Sequence, residues 1–327
     1  MKMIVSVLLL VFAWIPRLAS AHEVYVLDSN DIREAMTTVS PNPYAALESQ
    51  SGEFAIYAVL VLILLLAALR ITFWKRLQRT VTPFLEKLKK YAPIIVRITL
   101  GASLIAGAYA HALFGPELPL DTIAGEYAGF LQALLYSIGV LLVSGLFTRI
   151  AAFALACVCF FTFFSAGAYT VSYVHYLASA TFLLILEGRI SEKEAGPEDW
   201  AFLVLRVFYG AAIIFASIYA KFIYSNLALK TIDNYHLTDY LHFSPLFLVL
   251  GACLVEIGVG LCIMIGFELR LTLCIFTLFL VVSGVFFGEA IWPHLILFGL
   301  NIALFFRGYD RFTLLRRFSR DDLEPVL

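Results

Sequence analysis

The sequence predicts an all-α membrane protein of about nine transmembrane helices: two parallel-repeat four-helix bundles plus one leading helix. Three observations carry this. The 327-residue chain is 61% hydrophobic and 14% charged, with a mean hydropathy of +0.90. Soluble domains average about 45–50% apolar and about 25% charged residues. Apolar stretches of spanning length recur along the chain, and short motifs in its middle return in the same order towards its end. This composition excludes a water-soluble enzyme with a single anchor. A net charge of −1 without a long basic block in a soluble context argues against a nucleic-acid partner.

Residues 1–21 read as a secretion signal, with Lys2, the apolar run 4–12 and the cleavage-site pattern Ala19-Ser20-Ala21. Cleavage there would leave His22 as the mature N-terminus and place residues 22–53 outside a bacterial cytoplasm. Spans are expected at residues 54–73, 94–114, 128–147, 150–168, 172–187, 201–223, 245–266, 271–288 and 294–307. They must be helical, because the bilayer core satisfies no exposed backbone group.

Lysine and arginine set the orientation. Lys75, Arg76, Arg79, Lys87, Lys89, Lys90, Arg149, Arg189, Lys193, Arg270 and the arginines of the tail 309–327 all fall on one side. That side is expected to be cytoplasmic in a bacterial inner membrane, and the lipid bilayer is the first partner. Residues 54–91 combine the leading helix with a basic linker. There Phe84, Leu88 and Tyr91 stand at helical spacing among lysines, as in a helix lying on an anionic leaflet.

Residues 92–190 and 199–308 form the repeat. Arg97-x-x-x-Gly101-Ala102 returns as Arg206-x-x-x-Gly210-Ala211. Tyr109-Ala110-His111 returns as Tyr219-Ala220-Lys221, one residue out of step, and Ile138-Gly139-Val140 as Ile257-Gly258-Val259. Gly145 and Arg149 match Gly266 and Arg270, and His175 matches His294. Small residues at these positions suit close helix contact in lipid, where apolar side chains gain little from leaving the tails.

An Arg-x-x-x-Gly start, a basic residue ending that helix and a glycine-rich second helix closing on Gly-x-x-x-Arg resemble the DoxX/DoxD family. The second unit fits better, with Arg206, Gly210, Lys221, Glu256, Gly258, Gly266 and Arg270. The first unit departs, with His111 for the lysine and Ser137 opposite Glu256. The resemblance implies redox-associated inner-membrane proteins, some of them small subunits linked to thiosulfate:quinone oxidoreduction or terminal quinol oxidases.

Ionisable residues inside apolar spans are costly, on the order of 2.5–3.5 kcal/mol at the bilayer centre. Glu256 is the deepest, and with Lys221 it forms the candidate catalytic pair. Two readings stand side by side: Glu256 hydrogen-bonds a quinone or accepts a proton, or it simply pairs with Lys221. His294, His175, His111 and Arg206 are candidate cofactor contacts, although snorkelling or capping equally explains the arginine. All six histidines fall on the expected outer side, so His22, His236 and His242 are candidate copper or other metal ligands. The five cysteines show no site spacing.

Three functions follow: a quinone- or quinol-interacting subunit of a respiratory or sulfur-oxidising complex, a non-catalytic anchor for another membrane or periplasmic subunit, or a metal-binding protein. Quinone is the favoured cofactor, with copper behind it.

Overall fold

The computed structural model describes residues 27, 29–70, 72–187 and 197–313. The proposed signal and His22, with most of the basic tail, lie outside them. Among the described residues no strand forms; only an isolated bridge joins Ala112 to Pro119.

A short helix α1 (Ser29–Thr37) precedes the long α2 (Ala46–Arg70) and α3 (Thr72–Leu88). The first set of packed helices is α4 (Ala92–Tyr109), a short α5 (Leu120–Ala124), α6 (Ala128–Ser144), α7 (Thr148–Ala166) and α8 (Val174–Glu187). The second is α9 (Pro197–Ser217) with a π-helical turn (Ile218–Ile223), then α10 (Ser225–Asn234) and α11 (Leu237–Leu241). After these come α12 (Pro245–Ile265), α13 (Leu269–Phe287) and α14 (Leu295–Arg307).

Among the described residues seven helical stretches are long and apolar enough to cross a bilayer, not nine. The difference has two sources. Expected spans 150–168 and 172–187 fall within one continuous 39-residue apolar run, Thr148–Leu186. The last expected span is the shorter apolar stretch Trp292–Arg307. At about 1.5 Å per residue, the 14-residue α8 and the 13-residue α14 each reach only about 20 Å, short of the roughly 30 Å core. The 39-residue run is not one rod. Gly167 (φ +69°) ends α7, a 3-10 segment (Gly167–Tyr173) follows, and α8 packs back against α7. Length and composition together make this a multi-pass, all-α membrane protein.

Side-chain placement agrees with lipid outside and packing inside. Phe153, Phe160 and Phe164 on α7 and Leu278, Val282 and Val285 on α13 are exposed. Leu100, Leu104, Leu135, Leu155, Phe182, Phe202, Leu205 and Leu300 are buried in one shared core.

The helices follow one another around a closed ring. α4 packs on α6, α6 on α7, α7 on α8, and α8 on α9; then α9 packs on α12, α12 on α13, α13 on α14, and α14 returns to α4. Two crossings are glycine-on-glycine. A Cβ on Gly139 would lie 2.8 Å from the Gly101 carbonyl, and one on Gly260 would lie 2.8 Å from the Gly210 carbonyl. No side chain fits there, so the backbones touch directly.

This geometry corrects one match. Gly258 faces open space, and Gly260 makes the contact that Gly139 makes. Gly260 precedes Gly266 by the same interval that separates Gly139 from Gly145. In that register Glu256 stands opposite Leu135, which is fully buried, rather than Ser137.

The arginine–glycine motifs also acquire a cause. α6 ends on Gly145 and α12 on Gly266, both left-handed at φ +77° and +70°. A Cβ on Gly145 would overlap the Arg97 guanidinium, and one on Gly266 would overlap that of Arg206. Each glycine is thus the cap that lets an arginine lie flat beneath the helix end. Arg270 is similarly held, donating to the Phe305 carbonyl at 3.2 Å and to Thr82 Oγ1 on α3 at 2.8 Å. The basic linker therefore docks onto the bundle. Among the linker's described side chains Leu85 is buried, whereas Phe84 is exposed.

Candidate functional site: a polar-ended cavity beside the π turn

The site exists because α9 does not stop where α4 does. α4 ends at Tyr109, and His111 turns away at φ +53°, exposed. α9 instead continues through the π turn, closed by the Tyr224 N–H on the Tyr219 carbonyl at 3.0 Å. A π turn accommodates an extra residue in a helix. That residue accounts for the one-step offset between the His111 and Lys221 motifs. It also carries Lys221 inward.

Lys221 Nζ lies 3.0 Å from Glu256 Oε2, and both side chains are buried. Beyond the end of α13, Glu289 accepts a hydrogen bond from Ser283 Oγ at 2.7 Å. Its other oxygen lies 3.5 Å from His294 Nε2. His294 Nδ1 is 3.2 Å from the Ala290 carbonyl, which fixes that nitrogen as the donor. Nε2 is thereby left facing the Glu289 carboxyl.

These four side chains line one end of a cavity of about 500 Å3 between α9, α10, α11, α12 and α13. The remaining wall is largely apolar, including Phe243, Phe247, Phe279, Phe287, Ile232 and Leu237. A second cavity, about 70 Å3, shares Glu256 and His294 with the first and is also lined by His175, Tyr173, Tyr169 and Tyr209. Tyr209 donates to Asn301 Oδ1 at 2.8 Å, and Asn301 donates on to Thr277 Oγ1 at 3.0 Å.

The roof over the larger cavity is pinned from outside. Lys230 on α10 bonds Glu34 at 2.9 Å and Asp31 at 3.3 Å on α1, and Asn234 donates to Asp31 at 3.2 Å. The hydrogen bonds to Glu34 and then Asp31 hold the Lys230 ammonium above the ordinary lysine pKa.

Six of the sequence-predicted residues take clear places. Lys221 and Glu256 pair, and His294 stands beside them on both cavities. His175 faces the smaller cavity alone. His111 is not at the site: it is exposed, with Gln132 Nε2 at 3.4 Å from its ring. Arg206 is not there either. It is buried at the opposite end of α9, its Nη2 donating to the Phe312 carbonyl at 3.4 Å. Its role is the packing beneath Gly266.

Of the candidate metal ligands, His22 lies outside the described residues. His236 and His242 are the exposed flanks of α11, both left-handed, at φ +49° and +45°. Among the described residues no three histidine, cysteine or acidic side chains gather as a metal would require. All five cysteines are free thiols.

Glu289 and Ser283 escaped sequence reasoning. The available signal was an acidic residue five positions before His294, in the connection between two apolar stretches. No family model, curated protein or solved structure matches this chain.

Proposed function

We propose that this is a redox-associated membrane protein whose larger cavity binds the head group of a quinone or quinol. The observation that carries the reading is a cavity of about 500 Å3 with apolar walls and ionisable groups at one end. Ligand pockets commonly measure about 300–1,000 Å3 and combine apolar lining with a few placed polar groups. A quinone carbonyl would accept a hydrogen bond from the Lys221 ammonium. A quinol hydroxyl would donate to Glu256 or Glu289, and the isoprenoid tail would follow the phenylalanine-lined wall.

The finer architecture belongs to the same reading. The pairing of α4 with α6 has its counterpart in α9 with α12, and that of α8 with α9 in α14 with α4. These correspondences support a tandem duplication of parallel four-helix units, as the resemblance to DoxX/DoxD proteins implies. The lysine and arginine distribution supports a bacterial inner-membrane location with the Lys230 end outside. Within a respiratory or sulfur-oxidising complex, such a subunit would exchange quinone with a membrane or periplasmic partner.

The test is titration of a short-chain ubiquinone into the full chain in lipid nanodiscs. Saturable 1:1 binding, weakened at least tenfold by Glu256→Gln and unaffected by His111→Ala, is expected. Binding that never saturates, or that is identical in Glu256→Gln, removes the reading.

A further inference from the structure

We propose that the smaller cavity is a hydrated proton relay joining Glu256 to Glu117. It rests on the quinone reading only for its purpose, because a head group that is reduced or oxidised must gain or lose protons.

The chamber has about 70 Å3 of space. An ordered water needs on the order of 10–15 Å3, together with polar partners, so a short file of waters fits. Its polar groups are disposed to hold one. His175 is buried, and its Nδ1, close to the Ser172 backbone, makes no well-formed hydrogen bond among the described residues. A buried imidazole without a partner is costly unless water satisfies it. Glu256 and His294 line the same chamber.

The chamber also reaches a second carboxylate through two tyrosines. Tyr169 and Tyr173 line it, and both hydroxyls donate to Glu117 Oε1, the Tyr169 bond measuring 3.0 Å. Glu117 is half-buried on the loop after α4, which the Ala112–Pro119 bridge and the Leu113 N–H bond to the Leu118 carbonyl hold in place. The groups facing His175 are Tyr173 and Tyr176 from its own stretch, Tyr209 from α9, Glu256 from α12 and His294 ahead of α14. Cys159 of α7 stands near Tyr176.

Each transfer is a simple exchange. A carboxyl O–H on Glu256 breaks as a chamber water takes the proton, and a water O–H breaks as the N–H on His175 forms. The imidazolium N–H then breaks towards the Tyr173 oxygen while the Tyr173 O–H proton passes to Glu117. No electrons move, and one proton leaves Glu256 for each that arrives at Glu117. Tyr209 is excluded as a relay member because its hydroxyl is committed to Asn301.

The experiment uses no quinone, so its outcome is independent of ligand binding. The full chain in nanodiscs is subjected to a pH jump and followed by time-resolved infrared absorption in the carboxyl region. The Glu256 band is assigned as the signal lost in Glu256→Gln. His175→Phe and Glu117→Gln should each slow the response of that band at least tenfold, and Tyr209→Phe should leave it unchanged. His175→Gln, which keeps a polar side chain without the relay nitrogen, serves if the phenylalanine variant does not fold. Equal rates in wild type, the His175 variant and Glu117→Gln would overturn the proposal. So would a Glu256 band that never responds to pH.

Discussion

Lys221 and Glu256 meet at 3.0 Å although the lysine stands near the end of its helix and the glutamate lies midway along α12. Removing one partner strands the other as a buried, uncompensated charge, which costs on the order of 3–5 kcal/mol. Lys221→Met alone and Glu256→Leu alone should each destabilise by about that much. The double variant should recover most of the loss, since Leu135 already fills the corresponding place in the first half. Denaturant unfolding of the four proteins checks this as a double-mutant cycle.

Backbone contact at α9 and α12 makes two glycines of this helix pair behave oppositely. Gly210→Ala places a methyl against the Gly260 carbonyl, and overpacking of this kind costs about 1–3 kcal/mol. Gly258→Ala meets nothing and gains helix propensity worth up to about 1 kcal/mol. Thermal midpoints in one detergent should therefore move down for the first and level or up for the second.

Filling the larger cavity separates shape from charge. Ala228→Phe on α10 projects bulk into it and leaves Lys221, Glu256, Glu289 and His294 intact. Short-chain ubiquinone affinity should fall at least tenfold with the thermal midpoint unchanged. Retained affinity would place the ligand elsewhere.

The Lys230 contacts predict an alkaline limit for the roof. Because the folded state raises the lysine pKa, the contribution of the pair is fully present below the unfolded value of about 10.4 and is lost as pH rises through the folded value. Hydrogen exchange of α1 should be flat from pH 7 to about 10, after correction for intrinsic rates, and then accelerate. In Lys230→Met that pH step should vanish.

The charged pair was legible because a carboxylate in an apolar run stands out, and so was the all-helical character. Other features were hidden for physical reasons. Glu289 lies just past an apolar stretch and reads as an ordinary connecting residue; only the fold turns it back towards His294. Gly258 matches Gly139 by its neighbours, yet the backbone contact belongs to Gly260, two positions on. Arg206 was open to two readings, a cofactor contact or a capping residue, and only the fold shows it lying beneath the Gly266 cap. The number of spans was overstated because residues 150–187 were read as two spans, although their second helix is short, and because the last apolar stretch falls short of a bilayer.

The single residue gained at Ile218–Ile223 has an outsized effect. Each added residue rotates all that follows by about 100° on a helix, so this small slip swings a side chain from the periphery to the centre of the molecule. Deleting Ala220 would swing position 221 back, leaving the carboxylate on α12 facing a void. The buried ion pair, and the polar wall it gives the cavity, thus hang on one residue of helix register.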